Sequence, residues 1–224
     1  MNDISSIEEA EASTEEANLP IEKANVWKLY QTKAADFAAE RQRFGGESKY
    51  FADIAARIPA GAAVLDLGCG SGVPIARFFI DYGFALTGVD AAPAMIEICR
   101  ERFPDASWFV SDMRRLALRR RFHAILAWDS FFHLPPDDQR AMFEVFRAHA
   151  APGALLLFTS GPEAGEPIGD LYGEPLYHAS LDEAEYRQLL RDSGFSVLAY
   201  AAEDPETEGR TVWFAIRSDR NPEA

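Results

Sequence analysis

The stretch that constrains this chain most is VLDLGCGSGVPIARFF, Val64 to Phe79. A short apolar run ends around an aspartate, glycines follow at positions 68, 70 and 72, and a helix-like pattern begins. Strand, glycine turn and helix in direct succession belong at the carboxyl edge of a sheet with helical crossovers, where ligands of doubly wound folds bind. Without Cβ atoms the glycines allow sharp backbone angles and close approach of a ligand. The helix that follows offers free N–H groups and a partial positive charge.

The rest of the chain continues the alternation. Strands are expected at Ala63–Leu67, Phe84–Val89, Ser107–Val110, Ala124–Trp128, Ala154–Thr159, Phe195–Ala201 and Thr211–Arg217. Helical spacing runs from Val26 to Phe44 and from Ser48 to Ile58. Pro93 opens another helix, with Met95, Cys99 and Phe103 on its inner face. A further helix runs from Pro136 to Ala150, where Pro152 and Gly153 are expected to stop it. Ser180 to Glu183 reads as a capping box for a last helix that Gly194 ends. The pattern predicts an α/β fold, a Rossmann-like, doubly wound, mostly parallel sheet. Only EDPETEGR separates the last two strands, too short for a crossover helix, so that pair is expected to be antiparallel.

Of 224 residues, 22 are basic and 36 acidic, a net charge of −14. Seven of the acids fall within residues 1–22, and residues 1–20 are expected to form an acidic, disordered tail ahead of a helical cap at 21–60 and the main domain at 61–220. An acidic surface argues against nonspecific nucleic-acid binding, which needs a basic face. The arginines of RRLALRRR, Arg114 to Arg121, are the local exception, either a solvated face or an attraction for an anion. No apolar run approaches the roughly 20 residues that cross a bilayer, so no membrane partner is expected. Two cysteines, Cys69 and Cys99, fit a reducing, cytoplasmic setting. No His, Cys, Asp and Glu spacing matches a zinc site, and no metal is expected. Nothing in the sequence sets the oligomeric state.

A glycine turn alone is a weak signal. Dinucleotide enzymes use Gly-x-Gly-x-x-Gly, and a nucleotide hydrolase needs a Lys followed by Ser or Thr. Here Asp66 precedes Gly68 by two residues. A carboxylate at that point repels a pyrophosphate and suits a ligand bearing an ammonium group. Asp90 ends the second strand, where an acid can accept both ribose hydroxyls, and Asp112 follows the third, where it can accept an adenine amino proton.

With VLDLGCGSGVP, LTGVDAAPAMI and WFVSDM in this order and spacing, the chain resembles the class I S-adenosylmethionine-dependent methyltransferases over residues 25–217, and its WDSFFHL and residues 160–180 resemble a subgroup of bacterial small-molecule enzymes among them. The resemblance implies a seven-stranded sheet of order 3-2-1-4-5-7-6. It also implies S-adenosylmethionine as cofactor, S-adenosylhomocysteine as its product, and methyl transfer to a small-molecule acceptor. By the same resemblance Gly68, Cys69, Gly70 and Gly72 pass under the methionine part and Asp66 holds its ammonium. Asp90 takes the ribose, Ala91 beside it also contacts the cofactor, Asp112 and Met113 frame the adenine, and Trp128 stands near the methyl. Tyr30, with Trp27 and Arg41 behind it, belongs to an amino-terminal cap, although apolar spacing there serves core packing equally. A nicotinamide-dependent oxidoreductase and a non-catalytic S-adenosylmethionine-binding module are the rival readings.

The fourth strand ends in AWDSFFHL, placing Trp128, Asp129, Ser130, Phe131, Phe132 and His133 near the methyl, with Phe131 expected to meet the acceptor. His133 is a candidate base or a packing residue, and Asp129 either orients the acceptor or bonds local backbone. Residues 160–180, with four glycines and three prolines, form a connection longer than packing requires. They are expected to be a lid whose Tyr177 and His178 reach the acceptor, or a hairpin that packs Tyr172 and Tyr177. His178 is a further catalytic candidate, while His123 and His149 read as structural. O-, N-, S- and C-methylation all stay open.

Overall fold

The computed structural model describes residues 21–218, so the acidic tail lies outside the described residues. Among the described residues three helices come first: α1 (Ile21–Thr32), α2 (Ala34–Glu40) and α3 (Ser48–Arg57). The alternating part follows as β1 (Ala63–Leu67), α4 (Ile75–Asp81), β2 (Ala85–Asp90), α5 (Pro93–Arg102), β3 (Ser107–Val110), β4 (Phe122–Ala127), α6 (Pro136–His149) and β5 (Ala150–Ser160). The chain then forms a hairpin of β6 (Ile168–Leu171) and β7 (Glu174–Tyr177), helix α7 (Glu183–Asp192), and strands β8 (Phe195–Asp204) and β9 (Arg210–Arg217).

Seven strands make one sheet in the order β3-β2-β1-β4-β5-β9-β8. With the separate β6–β7 hairpin set aside, this is 3-2-1-4-5-7-6. The pairs β3–β2, β2–β1, β1–β4 and β4–β5 are parallel, while β9 runs antiparallel to both β5 and β8. The chain reverses its direction of growth at β1, which runs beside β2 and β4, and the cleft past its carboxyl end is the binding position of such sheets.

Side-chain alternation along the strands feeds two cores, one on each face. In β5, Leu156 and Phe158 join one core while Leu155 and Leu157 join the other; in β9, Trp213 and Phe214 divide the same way. The first core carries an aromatic group in which Phe158 stacks on Trp213 at 5.8 Å. Gly88 in β2 is required because Trp108 lies across it: a Cβ there would stand 2.2 Å from the indole ring.

Four local expectations are corrected. The helix expected from Val26 to Phe44 breaks at Lys33, where the Thr32 hydroxyl donates to the Leu29 carbonyl (2.9 Å) and competes with the helical ladder. It also ends at Glu40, which frees Phe44 to pack on Phe51 and Phe78. Pro152 and Gly153 do not stop α6. That helix ends at His149, and Ala150 already pairs with Phe122 in the sheet, so the two residues form an irregularity within β5. Finally, the cap of α7 is Asp182, whose carboxylate accepts from the Glu185 N–H at 2.8 Å. Ser180 is buried and spends its hydroxyl on Tyr186 and nearby carbonyls.

Candidate active site

The glycine turn is tied to β2 by backbone bonds. Gly68 and Cys69 both donate to the Val89 carbonyl, at 2.8 and 3.0 Å. Asp90 then braces the turn: its carboxylate accepts from the Gly70 N–H (2.9 Å) and the Ala92 N–H (2.8 Å). Burial raises the Asp90 pKa, and these backbone bonds oppose it. Gly68 holds a positive φ of 71° in close quarters, since a Cβ there would lie 2.3 Å from the Ser130 Cβ. Ser130 in turn donates to the Leu67 carbonyl at 2.7 Å, pinning the end of β4 against the end of β1.

Asp66 is buried in β1, and its Oδ2 has no hydrogen-bond partner among the described residues. Burial pushes its pKa up to about 7; the Asp90 charge adds to this and the Arg41 guanidinium opposes it. An unsatisfied buried carboxylate oxygen costs free energy until a donor reaches it. Asp66, Cys69, Trp128, Phe37 and Arg41 surround a small recess beside the turn.

A cavity of about 1260 Å³ opens from the glycine turn. This exceeds the roughly 300–1,000 Å³ of an ordinary small-molecule pocket, leaving room for two ligands. At one end stand Asp90, Ala91, Ser111, Asp112 and Met113. Asp112 is held by Arg114, whose Nε lies 2.8 and 3.0 Å from the two carboxylate oxygens, and Arg114 also reaches Asp138 at 2.8 Å. Burial works to raise the Asp112 pKa, but the Arg114 bonds outweigh it and hold the group below the usual carboxylate range.

The other end is assembled from distant segments. Asp129, at a φ of 48°, accepts from Arg210 Nε (2.9 and 3.0 Å) and pairs with Arg41 at 3.1 Å. Its own N–H donates to the Thr159 hydroxyl. The His133 Nδ1 lies 2.9 Å from the Tyr177 carbonyl, which only accepts, so Nδ1 carries the proton and Nε2 accepts from the Tyr30 hydroxyl at 3.0 Å. Burial lowers the His133 pKa to about 4, against the opposing effect of the Tyr177 bond. Burial also lowers that of His178 and raises that of Tyr30.

The structure therefore brings Tyr30, Gly68, Gly70, Asp90, Ala91, Asp112, Met113, Asp129, His133 and His178 to one cavity, together with Trp27 and Arg41. Asp66, Cys69 and Trp128 line the adjoining recess. Three expectations are corrected. Gly72 lines neither space: a Cβ there would meet Cys99, Phe103 and Trp108, so the glycine serves contact between the turn and α5. Phe131 is fully buried against Phe143, Phe146 and Phe158, and its neighbour Phe132 lines the cavity instead. Tyr177 is buried and lines neither space; its hydroxyl bonds Glu166 at 2.5 Å and its carbonyl bonds His133, two residues that do line the cavity. The segment 160–180 combines both readings: Ser160 to Pro167 line the cavity, and the β6–β7 hairpin packs beside them. His123 is exposed, and His149 is buried, bonded to Val145 and Leu118. Sequence reasoning missed Arg210, whose only signal was a charge at the start of the last strand, and Phe37, which covers Gly70.

No helix among the described residues is long and apolar enough to cross a membrane, and no cluster of His, Cys, Asp and Glu there is arranged to hold a metal.

Residues 64–153 match a family model described as a methyltransferase domain. A Streptomyces fradiae dTDP-3-amino-3,6-dideoxy-alpha-D-glucopyranose N,N-dimethyltransferase is 33% identical over 132 residues, 58% of this chain and 46% of that protein. An Escherichia coli trans-aconitate 2-methyltransferase is 31% identical over 166 residues, 73% of this chain and 59% of the relative. The chain spans about half the length of the curated relatives it matches. Among solved structures, a Burkholderia thailandensis 1,6-didemethyltoxoflavin-N1-methyltransferase with bound S-adenosylhomocysteine aligns with a TM-score of 0.67 at 18% identity, covering 88% of each chain. A Micromonospora echinaspora amino pentose methyltransferase bound to S-adenosylmethionine aligns at 0.61 and 21% identity, covering 93% of this chain and 96% of that one. These two share the fold.

Proposed function

We propose that this chain, which carries a class I S-adenosylmethionine-dependent methyltransferase domain, transfers the methyl group of S-adenosylmethionine to a small-molecule acceptor. The observation that carries the reading is the buried Asp66 oxygen without a partner, set beside a glycine turn that Asp90 braces. An α-ammonium group supplies the missing donor and the compensating charge. A dinucleotide offers neither, since its pyrophosphate adds a second negative charge at that point.

The residues fit the cofactor from end to end. Asp66 would hold the ammonium, Asp90 the ribose hydroxyls, and Ala91, Asp112 and Met113 the adenine end. Because Arg114 already takes both Asp112 oxygens, adenine recognition uses a carboxylate fixed in place. When bound, the cofactor supplies an electrophilic methyl on a sulfonium, and the protein's share is alignment and exclusion of water. Tyr30 and Phe37, meeting edge to face at 5.5 Å, close the space over the turn.

The acceptor side favours a compact substrate, because the cap helices and residues 160–167 bound the cavity. The aminosugar and tricarboxylate methyltransferases among the relatives support a small-molecule acceptor of that scale. The acidic surface speaks against a nucleic-acid partner, and the two free thiols, Cys69 and Cys99, fit a cytoplasmic setting.

Calorimetric titration with S-adenosylhomocysteine, with NADH in parallel, tests the reading. Saturable binding of the former alone is expected. Binding of NADH alone, or of neither, would overturn it.

A further inference from the structure

Among the described residues six aromatic side chains line the cavity: Trp27, Tyr30, Phe37, Phe132, His133 and His178. Five of them form a continuous wall. Phe37 covers Gly70 at the cofactor end and meets Tyr30 at 5.5 Å between ring centroids. Tyr30 meets His133 at 5.5 Å, His133 meets His178 at 4.9 Å, and His178 meets Phe132 at 5.2 Å. Trp27 stands one turn before Tyr30 on α1 and is 43% exposed, which puts it at the outer end of the wall. These rings are not core. Phe131, next to Phe132 in the chain, is fully buried with Phe143, Phe146 and Phe158, whereas the five wall rings are all half-buried. The wall is also fixed in place: the Ala179 N–H donates to the Phe132 carbonyl at 2.7 Å, the His178 N–H donates to the Pro167 carbonyl at 3.0 Å, and Tyr30 donates to His133. A ring surface held still and left partly open is a preorganised binding face.

What such a face can take follows from its polar atoms. The Tyr30 hydroxyl and both His133 nitrogens are engaged within the protein. Asp129 is held by Arg41 and Arg210. Burial keeps both imidazoles below their ordinary pKa, so the wall is uncharged at neutral pH. A polyhydroxylated acceptor needs a polar partner for each hydroxyl it takes out of water, whereas a flat conjugated ring needs mainly a ring face to lie on. His133 and Asp129, both already bonded, are poorly placed to strip a proton from an aliphatic alcohol or an ammonium. An acceptor whose reacting atom shares its charge with a conjugated ring gives up that proton without a strong base.

Resting on the methyl-transfer reading above, we propose that the acceptor is a planar aromatic or heteroaromatic molecule that stacks on Phe132 and His178, with Trp27 covering its outer edge, and that it is methylated at an oxygen or nitrogen borne on its ring. That atom loses its proton to solvent. Its lone pair forms a bond to the methyl carbon as the carbon–sulfur bond breaks, and the electron pair of the broken bond stays on sulfur. An anionic ring and a sulfonium thus give a neutral methylated ring and a neutral thioether.

The test begins with binding rather than turnover. Protein loaded with S-adenosylhomocysteine is titrated calorimetrically with a planar set (hydroxycoumarins, hydroxyquinolines, naphthols and purines) and a non-planar set (glucosamine, glucose, citrate and cyclohexanol). The tightest planar compound is expected to bind at least about tenfold more tightly than any non-planar one, and to gain one methyl group by product mass when S-adenosylmethionine replaces the product. Phe132→Leu keeps an apolar side chain but removes the ring, and should weaken that binding about 3–10-fold, while Phe132→Tyr should stay near the parent. Trp27→Ala, at an exposed position where folding is not at stake, should weaken it about 2–5-fold, with Trp27→Phe recovering most of the loss. Tighter binding or methylation of the non-planar set, or of neither set by protein that holds S-adenosylhomocysteine, would overturn the acceptor class. Planar binding unchanged in both Phe132→Leu and Trp27→Ala would overturn the stacking. Failure to bind S-adenosylhomocysteine would instead sink the methyl-transfer reading.

Discussion

The two ends of the cavity are built by different means. At the cofactor end, the glycine turn is held by its own backbone: it donates to Val89 and Asp90, and the turn and these partners lie between β1 and the start of α5. At the acceptor end, side chains from the cap, β4, the hairpin and β9 meet over long separations. Tyr30 reaches His133 across 103 positions, and Arg210 reaches Asp129 across 81. A backbone-built site is rigid and intolerant of added volume, whereas a side-chain-built site exchanges charges and hydrogen bonds with modest losses.

The sharpest way to break the comparison is Gly68→Ala. The new methyl would enter at 2.3 Å from Ser130 Cβ on a backbone of positive φ. Strain and overpacking together are expected to cost about 2–5 kcal/mol, read by chemical denaturation, with loss of S-adenosylhomocysteine binding. Ser130→Gly in the same chain should recover part of that loss. A Gly68→Ala protein as stable as the parent would refute the steric account.

Asp66→Asn should separate stability from binding at the same end. In the unfolded chain this carboxyl ionises near its ordinary 3.8, whereas in the fold it keeps its proton up to about 7. Its contribution to stability therefore falls as pH rises from about 4 to 7 and stays low above. The asparagine variant should be more stable than the parent by about 1–4 kcal/mol at pH 8 and no different at pH 4. Its affinity for S-adenosylhomocysteine should nonetheless drop about tenfold or more. In the parent, affinity should fall below pH 7, by up to about tenfold per unit, as Asp66 takes up its proton; a pH-independent affinity would remove Asp66 from the ammonium site.

At the acceptor end the expected losses are smaller. Asp129→Asn keeps a residue that tolerates positive φ and removes only the charge shared by Arg41 and Arg210. Denaturation should show a loss of about 1–3 kcal/mol, with S-adenosylhomocysteine affinity changed less than threefold. An equal fall in cofactor affinity would show that the two ends are coupled. The smallest effect belongs to Tyr30→Phe, which deletes the bond from cap to cavity floor. It should cost about 1 kcal/mol and raise amide exchange in α1 more than in β1. Uniform exchange across both would show that the cap does not open separately.

The same contrast explains what was legible beforehand. Asp66, Asp90 and Asp112 stand at strand ends, and strand ends follow from periodicity and from the glycine turn, all contiguous in the chain. Phe131 and Phe132 show the opposite case. Adjacent and identical in type, they go to core and cavity respectively because a single 3-10 turn at Phe131–His133 rotates one inward. Gly72 was misplaced for a related reason: glycine spacing marks a turn without stating whether ligand or a neighbouring helix fills the missing side chain.

Taken alone, the sequence determined the parallel sheet, its reversed final strand and the three acids at successive strand ends, since each depends on spacing over a few residues. Tertiary structure decided which groups remain free. The partners that occupy His133 and bind Asp129 twice lie 44 to 103 positions away, and among the described residues Asp66 keeps an open oxygen. Hydrogen bonding and charge pairing are short-ranged in space and indifferent to distance along the chain, so only the folded chain fixes them.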